Sequence, residues 1–125
     1  MKKILVIVVL ITSLLIGCPS VTQDQYDVPV VKRTEVEYRV TCSTAPYLVD
    51  ITIENEDGGV SQFSDVTAPW NYNFTASSGN FVYVSAQNQQ ASGTITASIY
   101  TDGSLFKTST SSGAYVIATA YGSIP

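Results

Sequence analysis

Two thiols, ten carboxylates, eight phenols and no imidazole are the reactive side chains of this 125-residue sequence. Without histidine the chain lacks the group most used for proton transfer near neutral pH and a common zinc ligand. Ser-His-Asp and Cys-His nucleophilic centres cannot be assembled from it alone. The acidic run Asp50, Glu54, Glu56 and Asp57 offers hard oxygen atoms of the kind calcium takes, and paired carboxylates are also a glycosidase pattern. Its spacing does not match the helix-flanked calcium loop, and Asp57-Gly58 is explained as turn chemistry. Nor does a domain of roughly 90 residues readily supply the deep cleft that a glycosidase needs. No catalytic residue, metal ligand or cofactor is expected. Cys42 is the other suspect, because a reactive thiol needs exposure and nearby positive charge. It continues the face of Val36, Tyr38 and Val40, with Arg39 on the opposite face. A buried, inert thiol is the expectation.

Cys18 differs from Cys42 in what precedes it. Lys2 and Lys3 form a basic start, Ile4 to Leu10 is unbroken apolar, and the apolar run continues through Leu14, Leu15 and Ile16. A charged start and a short apolar stretch are the pattern of a secretory signal, too short for a comfortable membrane span. The stretch ends at Leu15-Ile16-Gly17-Cys18, which resembles a bacterial lipobox. Such a signal implies cleavage before the cysteine and diacylglycerol on its thiol. The small Gly17 gives a peptidase access to the bond. An uncleaved anchor helix, and cleavage by ordinary signal peptidase that leaves Cys18 a spare thiol, are the other readings of this segment. On the lipobox reading, residues 1–17 are a signal peptide and Cys18 is a lipidation site.

Composition limits the partners. The part after residue 17 keeps Lys32, Arg33, Arg39 and Lys107 against ten acidic residues, a net charge of −6. Such a surface should not attract nucleic acid, nor anionic headgroups by itself. Membrane attachment therefore has to come from lipid on Cys18, and two or three acyl chains anchor stably where one does not. The expected location is the cell envelope, on the extracytoplasmic side, in the periplasm or at the cell surface. With Cys18 taken by lipid, Cys42 has no partner for an intramolecular disulfide.

The elements that position these groups follow from periodicity. Residues 18–34 read as the lipidated cysteine and a flexible tether, because Pro19 and Pro29 break any helix. Such a tether has a root-mean-square reach of ~20–25 Å. Val28 to Val31 could alternatively form a first edge strand. From Glu35 the pattern has period two: Val36, Tyr38, Val40 and Cys42 share one face, and Val49, Ile51 and Ile53 share another. Further strands are expected at Val60–Val66, Trp70–Thr75, Phe81–Gln87, around Ile95–Ile99, at Ser104–Thr108 and at Ala114–Tyr121. Asn55–Gly59, Ser77–Asn80 and Asn88–Gly93 read as turns and loops, and Asp102-Gly103 is the strongest hairpin signal. Seven or eight short strands at this spacing predict an all-β, antiparallel, immunoglobulin-like sandwich over residues 35–125.

A series of short strings carries a resemblance. It runs Glu37-Tyr38-Arg39-Val40-Thr41, Val49-Asp50-Ile51-Thr52-Ile53, Val66-Thr67-Ala68-Pro69-Trp70 and Val82–Gln87, then Gly93–Ile99, Asp102-Gly103 and Ser111–Tyr115. In order and spacing it resembles the MmpS family of mycobacterial membrane proteins across residues 35–121. The resemblance implies a small β-sandwich outside the cytoplasmic membrane, partnered with a large lipid or siderophore exporter of the resistance-nodulation-division type. Two departures stand out. That family uses an amino-terminal membrane helix where this chain has the lipobox. It also carries cysteines where this chain has Ala97 and either Ala118 or Ala120.

One surface feature suggests contact with a partner. Tyr83, Tyr100, Tyr115 and Tyr121 fall on the sides of their strands opposite the apolar residues. If those strands are neighbours, one sheet presents an aromatic outer face, and tyrosine is enriched at interfaces. Cross-strand tyrosine pairs that merely stabilise the sheet are the competing explanation. These observations lead to a non-enzymatic, membrane-anchored lipoprotein, expected as an accessory or adaptor of a membrane transport complex. The alternative is a cell-surface binding or adhesion module that recognises carbohydrate or protein.

Overall fold

The computed structural model describes residues 30–125. Cys18, the signal segment and the tether up to residue 29 lie outside the described residues. Val30 and Val31 are exposed and in no strand, and β1 begins at Arg33. The described residues form eight antiparallel strands and no helix. These are β1 (Arg33–Cys42), β2 (Leu48–Glu54), β3 (Val60–Thr67), β4 (Trp70–Ser77), β5 (Phe81–Asn88), β6 (Thr94–Thr101), β7 (Ser104–Ser112) and β8 (Ile117–Ser123).

Two four-stranded sheets make a sandwich, one in the order β4-β1-β6-β7 and the other β3-β2-β5-β8. The alternation of branched apolar and polar residues explains which faces meet. Val36, Tyr38 and Val40 of β1, and Ile95, Ala97 and Ile99 of β6, are buried from the first sheet. Val49, Ile51 and Ile53 of β2, Val82 and Val84 of β5, and Ala118 and Ala120 of β8 meet them from the second. Such β-branched side chains are stiff and fit a pleated surface, and a buried Ile is worth about 2–5 kcal/mol against Ala.

The turns obey local chemistry. Asp102 and Gly103 both have positive φ, at 48° and 82°, which is the conformation that a two-residue hairpin demands. The last strand starts later than alternation alone suggests. Ala114, Tyr115 and Val116 form a turn, with Tyr115 at φ 54°, so pairing with β5 begins only at Ile117 opposite Gln87.

Strand direction sorts the connections to two ends. The chain enters β1 at one end, where the β2–β3, β4–β5 and β6–β7 turns also lie. There the backbone of Lys32 accepts from Ser78, and Asp102 N–H donates to the Glu35 carbonyl. The β1–β2, β3–β4, β5–β6 and β7–β8 connections gather at the opposite end.

Candidate functional site

The four expected surface tyrosines do not share one face. β5 and β8 are neighbours in one sheet, and Tyr83 stands directly opposite Tyr121. Phe81 joins them, with ring centroids 6.4 Å from Tyr83 and 6.2 Å from Tyr121. Phe81 and Tyr121 are exposed, and Tyr83 is half-buried between them. The next rung pairs Ser85 with Thr119 through a 3.0 Å hydroxyl contact, and the last sets Gln87 opposite Ile117, which is also exposed. The outer side of β5 and β8 is therefore a strip of aromatic, hydroxyl and amide groups without a charge. From Phe81 to Gln87 its length is roughly 20 Å at the usual strand rise.

Tyr100 faces the other way. Its strand, β6, pairs with β1 in the first sheet, and Tyr100 lies beside Glu37 in register. The Arg39 guanidinium sits 4.1 Å from the Tyr100 ring centre. Two hydrogen bonds, of 2.9 and 3.2 Å, tie that guanidinium to the Glu37 carboxylate. The hydrogen bond from Arg39 holds the Glu37 carboxyl below its ordinary range, and Asn71 adds a further donor. Tyr100 is thus occupied within its own sheet. Tyr115 belongs to the β7–β8 turn, where its carbonyl accepts from Gln87 Nε2 at 3.1 Å.

Three members of the acidic run, Asp50, Glu56 and Asp57, are occupied by local hydrogen bonds. Asp50 accepts from the Asp65 backbone N–H at 2.8 Å, and Asp57 accepts from Gly59 N–H at 2.9 Å. Glu56 accepts from the Tyr72 hydroxyl at 3.0 Å, which pushes the Tyr72 phenol up from its ordinary value. Among the described residues, no group of three or more Cys, Asp or Glu side chains converges as metal ligands.

Cys42 is half-buried rather than sealed in the core. Its Sγ lies 3.6 Å from Asn88 Oδ1 and 3.7 Å from the Thr44 carbonyl, and it receives Gln90 Nε2 at 3.5 Å. That contact belongs to a polar cluster within Asn88–Gly93, a stretch that the sequence pattern marks only as a loop. Gln90 uses its carboxamide as a backbone mimic: Oε1 accepts from Leu48 N–H at 2.9 Å, and Nε2 donates to the Leu48 carbonyl at 3.2 Å. Asn88, fully buried, donates to the carbonyls of Ser92 and Gly113 and accepts from Gln90 N–H and from Gln90 Nε2. One pair of amides thereby fastens the β1–β2, β5–β6 and β7–β8 connections together. The available signal is the amide run Asn88-Gln89-Gln90 at the end of a strand whose alternation puts Asn88 on the inward side. Gly93 permits the close approach: its φ is 108°, and a Cβ there would lie 2.1 Å from Thr44 Oγ1.

The chain matches no protein-family model and no curated protein.

Proposed function

We propose that this protein is a non-enzymatic accessory lipoprotein of the cell envelope. Lipid on Cys18 holds it to a membrane, and the sandwich docks on a protein of a membrane transport complex. The observation that carries the docking role is the uncharged outer strip of β5 and β8, with exposed Phe81 and Tyr121 flanking Tyr83. Aromatic side chains of this kind give large contact area at small entropic cost and dominate protein interfaces. The resemblance to the MmpS family supports an exporter of the resistance-nodulation-division type as the partner. The lipobox supports an anchor made by lipid rather than by a helix. A non-catalytic role agrees with open surface depressions of about 270–330 Å³ and with a chain that has no histidine.

The test is crosslinking of the full-length protein in its native membranes, followed by purification and identification of what it retains. The wild-type protein should retain a polytopic exporter. The Phe81→Ser/Tyr121→Ser variant should retain at least ~10-fold less, equivalent to about 1.4 kcal/mol. Undiminished recovery by the variant, or recovery of surface polymers alone, contradicts the proposal.

A further inference from the structure

The sandwich has four sheet edges, β3 and β8 in one sheet and β4 and β7 in the other. An edge offers unpaired N–H and C=O groups to any strand that comes alongside, and folded proteins blunt edges with bulges and charges. Three of these edges are blunted. β3 bulges where Ser64 and Asp65 stand opposite Asp50, with Asp65 at φ 54° and its N–H taken by the Asp50 carboxylate. β7 bulges at Phe106, and the next residue is Lys107. β4 is flanked by Glu37 and Glu56, which hold Asn71 and Tyr72 at 3.2 and 3.0 Å.

β8 carries no such device. Its residues pair with β5 in one unbroken register, without a charge or a proline. Asn88 N–H donates to the Val116 carbonyl, and Ile124 N–H donates to the Asn80 carbonyl. The register between those bonds turns the backbone groups of Ala118, Ala120 and Gly122 toward β5, and those of Ile117, Thr119 and Tyr121 away from it. Among the described residues no strand pairs with β8 on that side, where Ser111 Oγ reaches the Ile117 carbonyl at 2.7 Å. A depression of about 300 Å³ lies beside this edge, lined by Lys107, Thr108, Thr119, Ala120 and Tyr121.

A row of backbone donors and acceptors takes an extended strand. The residues of β8 say which one. Laid antiparallel to itself with Thr119 on a two-fold axis, β8 sets Ile117 opposite Tyr121 of the second copy, and Thr119 opposite Thr119. An aromatic–β-branched pair and a Thr–Thr pair are cross-strand combinations that stabilise a sheet. The outward N–H groups of Ile117, Thr119 and Tyr121 then each meet a carbonyl of the other copy. Charge favours the same contact. Copies of an acidic chain repel one another. Apart from Asp102, the described side-chain carboxylates lie on β1, β2, β3 and the β2–β3 turn, and β5, β7 and β8 have none. Two copies that meet at β8 therefore approach by the side free of acid groups.

We infer that this protein self-associates through the open edge of β8. Two copies pair β8 with β8 about a two-fold axis at Thr119, an isologous contact, and join their β3-β2-β5-β8 sheets into one continuous sheet. The axis stands perpendicular to that sheet, so the outer strips of β5 and β8 from both copies lie side by side on one face.

The test is a cysteine scan of the full-length protein in the cells that make it, under mild oxidation. Cα atoms of a hydrogen-bonded antiparallel pair stand about 5.5 Å apart, within reach of a disulfide. Thr119→Cys should therefore give a disulfide-linked dimer, mapped to position 119, at least ~10-fold above Asn73→Cys on the β4 edge. Ile117→Cys alone should not link to its own copy, because four residues of strand separate the two by ~13 Å. Coexpressed with Tyr121→Cys it should form the mixed dimer, which poses the same question should Thr119→Cys fail to fold. Thr119→Lys sets two like charges on the axis and leaves the β5 ladder intact, and it should lower the mixed-dimer yield at least ~10-fold. Equal yields from positions 119 and 73, a disulfide from position 119 to a different protein, no mixed dimer, or a mixed dimer indifferent to Thr119→Lys overturns the inference. The bond at position 119 needs no exporter. Its absence leaves the transport proposal standing, and failure to recover an exporter leaves the bond in place.

Discussion

Tyr38 shows how one side chain can close a sheet. It is fully buried on β1, yet its hydroxyl reaches across the sandwich to the other sheet. There it donates to the Glu54 carbonyl at 2.7 Å and accepts from Tyr83 N–H at 3.1 Å. The β2–β5 ladder runs only to Ile53 opposite Val84, so the phenol occupies the next rung, where the two strands part. Phe74 and Tyr72 pack around its ring, with centroids 5.1 and 6.3 Å away. Tyr38→Phe keeps the packing and removes the bridge, leaving two backbone groups short of a partner. The expected loss is about 1–3 kcal/mol, measurable by urea unfolding. Burial pushes the Tyr38 phenol from its ordinary 10.0 up to about 12. The folded state therefore favours the neutral phenol. Its contribution is complete below pH 10.0 and is lost as pH rises toward about 12. Thermal midpoints of the wild type should fall across that window more steeply than those of Tyr38→Phe.

At the scale of elements, period-two alternation is enough to locate β1, β2, β5 and β6, because each buries one complete face. It is weaker for β3 and β7, whose residues are mostly half-buried or exposed. Alternation does not convey sheet membership. β6 reads identically in either sheet, yet its pairing with β1 sends Tyr100 to the side away from Tyr83 and Tyr121. Local pattern also missed the loop clamp, since Asn88 and Gln90 act through partners more than 40 positions away in the case of Cys42 and Leu48. Their polarity looked like solvent exposure when it was internal pairing. Asn88→Ala should test this directly. It strips the carbonyls of Ser92 and Gly113 of their donor and Gln90 N–H of its acceptor. A loss of about 2–4 kcal/mol is expected in chemical unfolding. A change below ~0.5 kcal/mol would mean that the clamp adds no stability.

At the scale of the molecule, the two ends of the sandwich differ in the charge of their turns. The chain joins the domain at the end that bears Glu56, Asp57 and Asp102, and the uncharged loops lie at the other. The β5–β8 strip runs between them. The proposed membrane attachment depends above all on Cys18. Intact-protein mass spectrometry of the protein from its native membrane fraction reads that residue directly. The prediction is a chain that begins at Cys18 and carries the added mass of a diacylglycerol and its acyl groups. A chain that still begins at Met1, or a Cys18 terminus without lipid, would contradict it.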